Sequence, residues 1–257
     1  MSSLSSSAIP HMGRVLSIEE RLFVALDYPD AASALALARR LTPLGISYKV
    51  GMQLFYAEGM AVVNQLQQLG KPVFVDLKLH DIPNTVAGSV KALVGHGVDF
   101  LNVHAQGGPE MMQAAVLSAK KAAERLGKPP ARLIGVTLLT SLSSHALESF
   151  LFVSGVSVSE YVQHLALQAK KAGLDGVVCS AQEASVIREA CGPDFLLITP
   201  GIRPAGSDLQ DQARAITPLQ ALKNGSDYLV IGRPITGAAD PLDATERILD
   251  EMREALA

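Results

Sequence analysis

Eight short runs of aliphatic and β-branched residues alternate with longer helical stretches along this 257-residue chain. The runs predict strands at Leu22–Asp27, Ile46–Gly51, Val73–Lys78, Phe100–His104, Leu133–Leu138, Gly176–Cys179, Leu196–Thr199 and Tyr228–Gly232. Apolar residues recur at three- and four-residue spacing between them, which predicts helices such as Ala31–Leu41, Met60–Leu69, Met111–Leu126 and Tyr161–Ala172. Strict alternation predicts parallel pairing, and eight units predict a single-domain α/β fold, the (β/α)8 or TIM barrel.

An open doubly wound sheet is the alternative arrangement of the same elements. That fold would carry a glycine-rich dinucleotide-binding turn after its first strand, and no such turn follows Asp27. No break in composition marks a second domain. We therefore expect residues 20–257 to form one barrel, preceded by a flexible, serine-rich tail over residues 1–19 in which His11-Met12 could be a cloning junction.

Composition indicates the class of protein, the kind of partner and the cellular compartment. Hydrophobic residues make up 48% and charged residues 18%, which is typical of a globular protein. The formal net charge of −3 argues against a nucleic-acid partner, which selects a basic surface. The sequence lacks an apolar run of the roughly 18 residues that a membrane span needs. The first dozen residues lack the order of a signal peptide, and only two cysteines occur. These features predict a cytoplasmic protein.

The third predicted strand carries charged residues where a barrel strand is expected to be apolar. In the run VFVDLKL, which begins at Val73, the period of two places the aliphatic residues on one face and Asp76 and Lys78 on the other. The aliphatic face has to pack on helices, so Asp76 and Lys78 should point into the barrel. The same reasoning directs Asp27 of the first strand and Lys49 of the second inward. Four charges of alternating sign thus converge at neighbouring strand ends, where barrel enzymes hold their substrates.

Alternatives to catalysis remain open at this cluster. The charges could form a structural ion-pair network, although such networks can often be replaced by apolar residues. Asp81 has the opposite strand parity and could cap the helix that begins near Pro83. His80 and His104 could bind a metal ion together with nearby carboxylates, but tight ligand spacing is missing. We predict no metal and no cofactor.

A second polar group follows the last two predicted strands. The segment TPGIR begins at Thr199, directly after the seventh strand, and Gly232-Arg233 ends the eighth. Glycine exposes backbone N–H groups and arginine offers a fork of donors, and both suit a phosphate group. The loops after strands 7 and 8 often hold phosphate in barrel enzymes. The long polar segment Pro204–Thr217 is expected to be a lid or binding loop, with a solvated connector as the alternative.

The run DLKLHDIPNT, from Asp76 to Thr85, resembles the signature of the orotidine 5′-monophosphate decarboxylase family in its bacterial branch. The resemblance covers nearly the whole chain after the tail. It includes Asp27, Lys49, Leu139-Thr140-Ser141, Pro200-Gly201-Ile202-Arg203-Pro204, Asp211-Gln212 and Ile231-Gly232-Arg233. Related sugar-phosphate decarboxylases share the Asp-x-Lys-x-x-Asp core, but the ten-residue run together with the long loop favours the pyrimidine enzymes.

The resemblance implies a lyase that converts orotidine 5′-monophosphate to UMP and CO2 without a cofactor, in the final step of de novo pyrimidine nucleotide synthesis. It implies that the Lys78 ammonium stabilises a carbanion at C6 and protonates it. The catalytic residues that it implies are Lys78, Asp76, Asp81 and Lys49. The substrate contacts that it implies are Asp27, Lys49, Asp76, Thr85, Thr140, Arg203, Gln212, Gly232 and Arg233. It also implies a homodimer in which Asp81 and Thr85 reach the partner's site.

Two other functions stay open on the sequence. The nearest is a sugar-phosphate decarboxylase of the 3-keto-gulonate 6-phosphate type, which uses a metal ion on the same barrel. The other is a nucleotide-binding barrel without catalysis, although a pure binder has no use for a buried array of alternating charges.

Overall fold

The computed structural model describes residues 16–142, 144–149, 151–204 and 216–255, which form a closed barrel of eight parallel strands. The strands are β1 (Leu22–Ala25), β2 (Ser47–Gly51), β3 (Val73–Leu79), β4 (Phe100–His104), β5 (Arg132–Val136), β6 (Gly176–Val178), β7 (Leu196–Thr199) and β8 (Tyr228–Ile231). Each strand pairs with the next one along the chain, and β8 closes the barrel against β1. The predicted fold class and all eight predicted strands are confirmed.

Helices follow the strands on the outside of the barrel. They are α1 (Ala31–Leu41), α2 (Met52–Glu58), α3 (Met60–Gln67), α4 (Pro83–Gly95), α5 (Pro109–Leu126), α6 (Ser144–Ser149), α7 (Val158–Ala172), α8 (Ala184–Cys191), α9 (Pro218–Lys223), α10 (Arg233–Thr236) and α11 (Pro241–Arg253). Asp30 accepts a hydrogen bond from the Ser33 N–H at 2.8 Å and so caps α1. Gly127 and Gly173 adopt the left-handed conformation just past α5 and α7, a common way for a helix to end. Within the described part of the chain, none of these helices is long and apolar enough to cross a membrane.

Inward side chains of the strands fill the barrel beneath its C-terminal mouth. The Phe23 ring meets the rings of Phe74 and Phe100 edge-on, with centroid separations of 5.7 and 5.2 Å. The same apolar layer contains Ala25, Ile134, Ile198, Tyr228 and Val230. Val73 and Val75, in contrast, pack in the separate core that joins the strands to the helices. The two faces predicted for the third strand are therefore confirmed, and the aromatic layer forms an apolar floor for the barrel mouth.

Three aspartates join neighbouring strands at the opposite, N-terminal end of the barrel. Each directly precedes an even-numbered strand, and its carboxylate accepts a backbone N–H near the start of the strand before it. The pairs are Asp99 with Val73 at 2.9 Å, Asp175 with Leu133 at 2.8 Å, and Asp227 with Leu197 at 2.8 Å. Asp175 also pairs with Arg132, and Asp227 pairs with Arg188. Asp99 makes no such ion pair with the described residues, and its burial raises the pKa of its carboxyl to about 6.

We expect Asp99→Asn to stabilise the protein at neutral pH. A carboxyl with a pKa of about 6 in the folded state and about 4 in the unfolded state binds its proton more tightly when folded. Stability therefore falls as the pH rises through this interval. Asparagine avoids that loss and keeps an acceptor for the Val73 N–H. The free energy of unfolding should rise by about 1–3 kcal/mol near pH 7.5, with little gain near pH 4, as measured by urea unfolding.

The matched control is Asp175→Asn, which removes a carboxylate with the same backbone contact but with an ion pair to Arg132 at 2.9 Å. This variant should be destabilised near neutral pH, because it removes the negative charge 2.9 Å from a partly buried guanidinium. Equal destabilisation of the Asp99 variant at both pH values would show that its burial does not penalise the charged carboxylate.

The described residues before β1 already pack against the barrel. Ile18 is buried in the core, and Glu19 forms an ion pair with Arg253 at 2.7 Å. The packed region therefore begins before residue 20, which was the boundary expected from composition. Residues 1–15, the larger part of the predicted tail, lie outside the described residues.

Candidate active site

A cavity of about 290 Å³ opens at the C-terminal ends of the strands. Its lower wall comes from the apolar floor, through Ala25, Phe74 and Val230. The predicted site residues that line it are Asp27, Lys49, Asp76, Lys78, Thr140, Arg203, Gly232 and Arg233. The structure thus brings the lysine–carboxylate group of the first three strands and the arginine–glycine group of the last two into one pocket. Its volume is at the lower end of the range for small-molecule sites.

The four charged residues on or just after the first three strands form a continuous chain of charges. Lys49 Nζ lies 3.2 Å from Asp27 Oδ1 and 3.3 Å from Asp76 Oδ2. Lys78 Nζ donates a hydrogen bond to Asp76 Oδ1 at 2.7 Å. The sign of charge therefore alternates along Asp27, Lys49, Asp76 and Lys78, which lets each buried charge face an opposite one.

Lys49 and Asp76 form the buried middle of this chain of charges, and their side chains are 9% and 12% exposed. Burial alone would lower the pKa of Lys49, but the carboxylates of Asp76 and Asp27 outweigh it and raise that pKa. Burial alone would raise the pKa of Asp76, but Lys49 and Lys78 outweigh it and lower that pKa. Both groups are therefore charged at neutral pH. Lys78 is 26% exposed and is the cationic end of the chain at the cavity.

An irregular backbone presents Lys78 to the cavity. Its φ angle is +52°, a left-handed conformation that is costly for a residue with a side chain. The pairing of β3 with β4 shifts register between Val75 and Leu79, so the ladder is interrupted around this residue. The Lys78 N–H donates instead to the side-chain oxygen of Asn102 at 2.7 Å. Sequence analysis missed Asn102, although the period of two applied to the fourth strand would have placed it on the inward face.

Gly51, at the end of β2, is a second residue that sequence analysis did not single out. A Cβ atom at this position would lie 2.8 Å from Asp27 Oδ1 and 3.0 Å from Lys49 Nζ. A larger residue would therefore have to displace the ion pair. A glycine at the end of a strand can signal such a close approach, but the sequence does not show which groups approach it.

Asp81 and Thr85 do not line the cavity of their own chain. Both are exposed, and the intervening Ile82 is 68% exposed. Helix α4 begins at Pro83 with Ile82 as its N-cap, and no side chain caps it. Asp81 Oδ1 accepts only the adjacent Ile82 N–H, at 2.7 Å, among its described hydrogen bonds. The interpretation of Asp81 as a helix cap is therefore wrong.

The rings of His80 and His104 lie next to each other, with centroids 5.1 Å apart. Burial, the adjacent His80 and the Lys78 ammonium lower the pKa of His104 to about 4, so its ring is neutral at pH 7. Among the described residues, no group of three or more His, Cys, Asp or Glu side chains is arranged to hold a metal ion. The metal-independent reaction stays a prediction.

The two ends of the predicted lid contact each other through backbone hydrogen bonding. The backbone N–H of Arg203 donates to the Ile216 carbonyl at 3.0 Å, and Ile202 pairs with Ile216 as an isolated bridge. The Arg203 side chain is buried against the Ile202 carbonyl, to which Nη1 donates at 3.0 Å. The rest of the segment, residues 205–215, lies outside the described residues, and the predicted contact Gln212 is among them.

Comparison with known proteins covers most of the chain. Residues 20–248 match the family described as orotidine 5′-phosphate decarboxylase / HUMPS. The chain is 50% identical over 234 residues to the orotidine 5′-phosphate decarboxylase of Moorella thermoacetica, covering 91% of this chain and 92% of that protein. It is also 50% identical over 234 residues to the enzyme of the same name from Alcanivorax borkumensis, covering 91% and 98%.

Solved structures agree with this similarity. The crystal structure of orotidine 5′-phosphate decarboxylase from Lactobacillus acidophilus superposes with a TM-score of 0.80 at 40% identity, covering 91% of this chain and 99% of that one. An uncharacterized conserved protein from Geobacillus kaustophilus superposes with a TM-score of 0.77 at 43% identity, covering 90% and 99%.

Proposed function

The chain belongs to the orotidine 5′-phosphate decarboxylase family, and on this basis we propose that it converts orotidine 5′-monophosphate to UMP and CO2. This reaction is the last step of de novo pyrimidine nucleotide synthesis, and a cytoplasmic location is part of the proposal. The observation that supports it most is the alternating chain of charges from Asp27 to Lys78 in the wall of the cavity. Such an array of fixed charges can stabilise the charge that develops in a transition state.

In the proposed mechanism, Lys78 performs the chemistry. Cleavage of the bond between C6 and the carboxyl carbon leaves an electron pair on C6 and releases CO2, and the pyrimidine offers no electron sink. The Lys78 ammonium stabilises this carbanion and donates the proton that completes UMP. The Asp76 carboxylate, 2.7 Å from Lys78 Nζ, favours the ammonium form. A Schiff base is disfavoured, because it would need a neutral amine. No metal or cofactor takes part in this proposal.

The remaining charged residues would position the substrate. Asp76 lies next to Lys78 and would face the departing carboxylate, which it destabilises by like charge. Lys49 holds Asp76 at 3.3 Å and Asp27 at 3.2 Å, so these three side chains can bind the ribose hydroxyls as one rigid unit. Thr140, which lines the same cavity, would contact the pyrimidine.

The phosphate group would bind at the other end of the cavity. Arg233 and Gly232 line the cavity, as does Arg203 from the base of the predicted lid, and these three residues would hold the phosphate. Gln212 is proposed as a further phosphate contact from the lid itself. Binding energy from this remote group can drive closure of the site around the reacting ring.

The proposed activity is tested by following the orotate absorbance band. The band should disappear when the protein is added to orotidine 5′-monophosphate, at the same rate with and without a metal chelator. A nucleotide-binding barrel without catalysis would leave the band unchanged. A sugar-phosphate decarboxylase would instead consume 3-keto-gulonate 6-phosphate, and only when a divalent metal is supplied.

We also propose that the chain forms a homodimer across the barrel mouths. Asp81 and Thr85 are exposed and lie outside their own cavity, although they belong to the same family signature as Lys78. Ile82 is 68% exposed, and Tyr56 of the segment after the neighbouring strand β2 is 73% exposed. A two-fold interface at this rim would bury both apolar side chains and bring Asp81 and Thr85 into the partner's site.

A mixture of two inactive variants, Lys78→Ala and Asp81→Ala, should regain activity after dissociation and reassociation. A hybrid dimer has one site with both native residues, so random pairing restores roughly a quarter of normal activity. The measurement is the turnover of orotidine 5′-monophosphate before and after mixing, with hybrid formation verified by tagged subunits. If verified hybrids show no recovery, Lys78 and Asp81 belong to one chain and the shared site is wrong.

A further inference from the structure

We propose that Asn102 is a positioning residue for this reaction, because its amide group fixes the backbone of Lys78 and the carboxylate of Asp76 together. The inference rests on the proposed function, since it assigns to Asn102 the task of orienting the group that protonates C6. Neither the family signature nor the sequence pattern of β3 points to this residue, which comes from the neighbouring strand β4.

Both polar atoms of the Asn102 side-chain amide form hydrogen bonds. Its Oδ1 accepts the backbone N–H of Lys78 at 2.7 Å, and its Nδ2 donates to Asp76 Oδ1 at 2.7 Å. That same carboxylate oxygen accepts the hydrogen bond from Lys78 Nζ, also at 2.7 Å. Asn102 therefore contacts both the backbone of Lys78 and the Asp76 carboxylate, which in turn accepts the hydrogen bond from the Lys78 ammonium. The backbone and the ammonium of Lys78 are both tied to one rigid amide.

The unusual backbone conformation of Lys78 needs a hydrogen bond from outside the strand ladder to stabilise it. A φ of +52° is unfavourable for lysine, and the register shift of β3 against β4 removes the regular ladder at this point. The Asn102 side chain supplies the acceptor that the strand partner does not. Without it, the N–H would lose its partner and the local conformation would relax toward an ordinary strand, which would redirect the ammonium.

Other side chains cannot replace this amide. Alanine or leucine offers neither a donor nor an acceptor, and glutamine is one methylene longer in a position that is fully buried. A carboxylate in place of the amide would face Asp76 without a hydrogen between the two oxygens, and like charges at that distance cannot both stay ionised. Asparagine offers one donor and one acceptor at the required reach at every pH, which an aspartic acid of the same length does only while it is protonated.

Asn102 is separate from the substrate pocket. It is 0% exposed and does not line the cavity, whereas Asp76 and Lys78 do. Its loss should therefore impair the chemical step and leave the affinity for nucleotide largely unchanged. This split between turnover and binding distinguishes a positioning residue from one that supports the barrel in general.

The first test compares Asn102→Ala with Tyr48→Phe. Tyr48 is also 0% exposed, and its hydroxyl contacts the Ala38 carbonyl at 2.7 Å and the Thr42 hydroxyl at 3.0 Å, on the outward face of β2. Both variants thus lose a buried polar group with two partners. Asn102→Ala should lower kcat about 100-fold through misplacement of the reacting group, with less than about a threefold change in the Kd of UMP. Tyr48→Phe should lose thermal stability but keep kcat within about threefold.

The second test uses Asn102→Asp and a pH profile of kcat. The charged or titratable groups around the Asp76 carboxylate are Lys49, Lys78 and His104. When the new carboxyl is protonated, it can donate to Asp76 and accept from the Lys78 N–H, as asparagine does. When it is ionised, it cannot donate. The Asn102→Asp variant should therefore be most active at low pH and lose activity as the pH rises, along a limb that the parent protein lacks.

The outcomes are separable. An Asn102→Ala variant with kcat within about threefold of the parent would overturn the inference, as would a flat pH ratio between Asn102→Asp and the parent. A loss of kcat accompanied by an equal loss of UMP affinity would assign Asn102 to general support of the fold and also overturn it. Should Asn102→Ala fail to fold, the pH profile of Asn102→Asp decides. Absence of turnover in the parent protein, in contrast, would overturn the proposed function.

Discussion

Replacing Lys78 by alanine is expected to abolish decarboxylation while UMP binding stays measurable. Lys78 is the cationic end of the charge chain at the cavity, and its proposed role arises only as charge develops on C6. General acid catalysis and electrostatic stabilisation together account for a loss of at least about 10⁴-fold in kcat. Loss of the orotate absorbance band measures turnover, and titration with UMP measures binding.

The control for this variant is Lys121→Ala, which removes an exposed lysine from α5 and should leave turnover unchanged. Turnover of the Lys78 variant within about tenfold of the parent, a difference of only ~1.4 kcal/mol, would show that Lys78 is not the proton donor. UMP binding that fails together with turnover would indicate that Lys78 supports the site structurally.

Replacing Arg233 by alanine should sharply reduce catalytic efficiency for the full nucleotide. Arg233 follows β8 after Gly232 and lines the cavity, and its proposed partner is the phosphate group. A bidentate arginine–phosphate contact has two charge-assisted hydrogen bonds of about 1.5–3 kcal/mol each. Their loss corresponds to about a 10²- to 10⁴-fold decrease in kcat/KM. The slow reaction of orotidine, which lacks the phosphate, should hardly change, because a remote contact acts only through the group that it holds.

Arg247→Ala is the matched control, because Arg247 is 72% exposed on α11 and pairs only with nearby Asp243 among the described ion pairs. It should not alter kcat/KM for either substrate. Equal losses for orotidine and its phosphate in the Arg233 variant would show instead that Arg233 maintains the fold around the cavity.

Much of the architecture could be read from local sequence patterns. The eight strands were predicted within two residues of their observed ends, because the preference of aliphatic and β-branched runs for strands acts over a few neighbouring residues. The period of two on β3 also predicted that Asp76 and Lys78 face the barrel interior. Once closure is assumed, all strand ends lie at one mouth, so residues far apart in the chain, such as Lys49 and Arg233, could be assigned to one pocket.

The amino-acid sequence by itself thus determined the barrel and the inward direction of its charged side chains, because both follow from periodicities within single segments. Contacts between segments were decided only in the tertiary structure. The register shift between β3 and β4 leaves the Lys78 N–H to Asn102. The packing of Asp27 against Lys49 places their ion pair within 3.0 Å of a Cβ atom at position 51. The same is true of Asp81, which lies outside its own cavity because the chain leaves the barrel at the rim. Such features depend on which strands become neighbours and at what offset, and the period of a single strand does not carry that information.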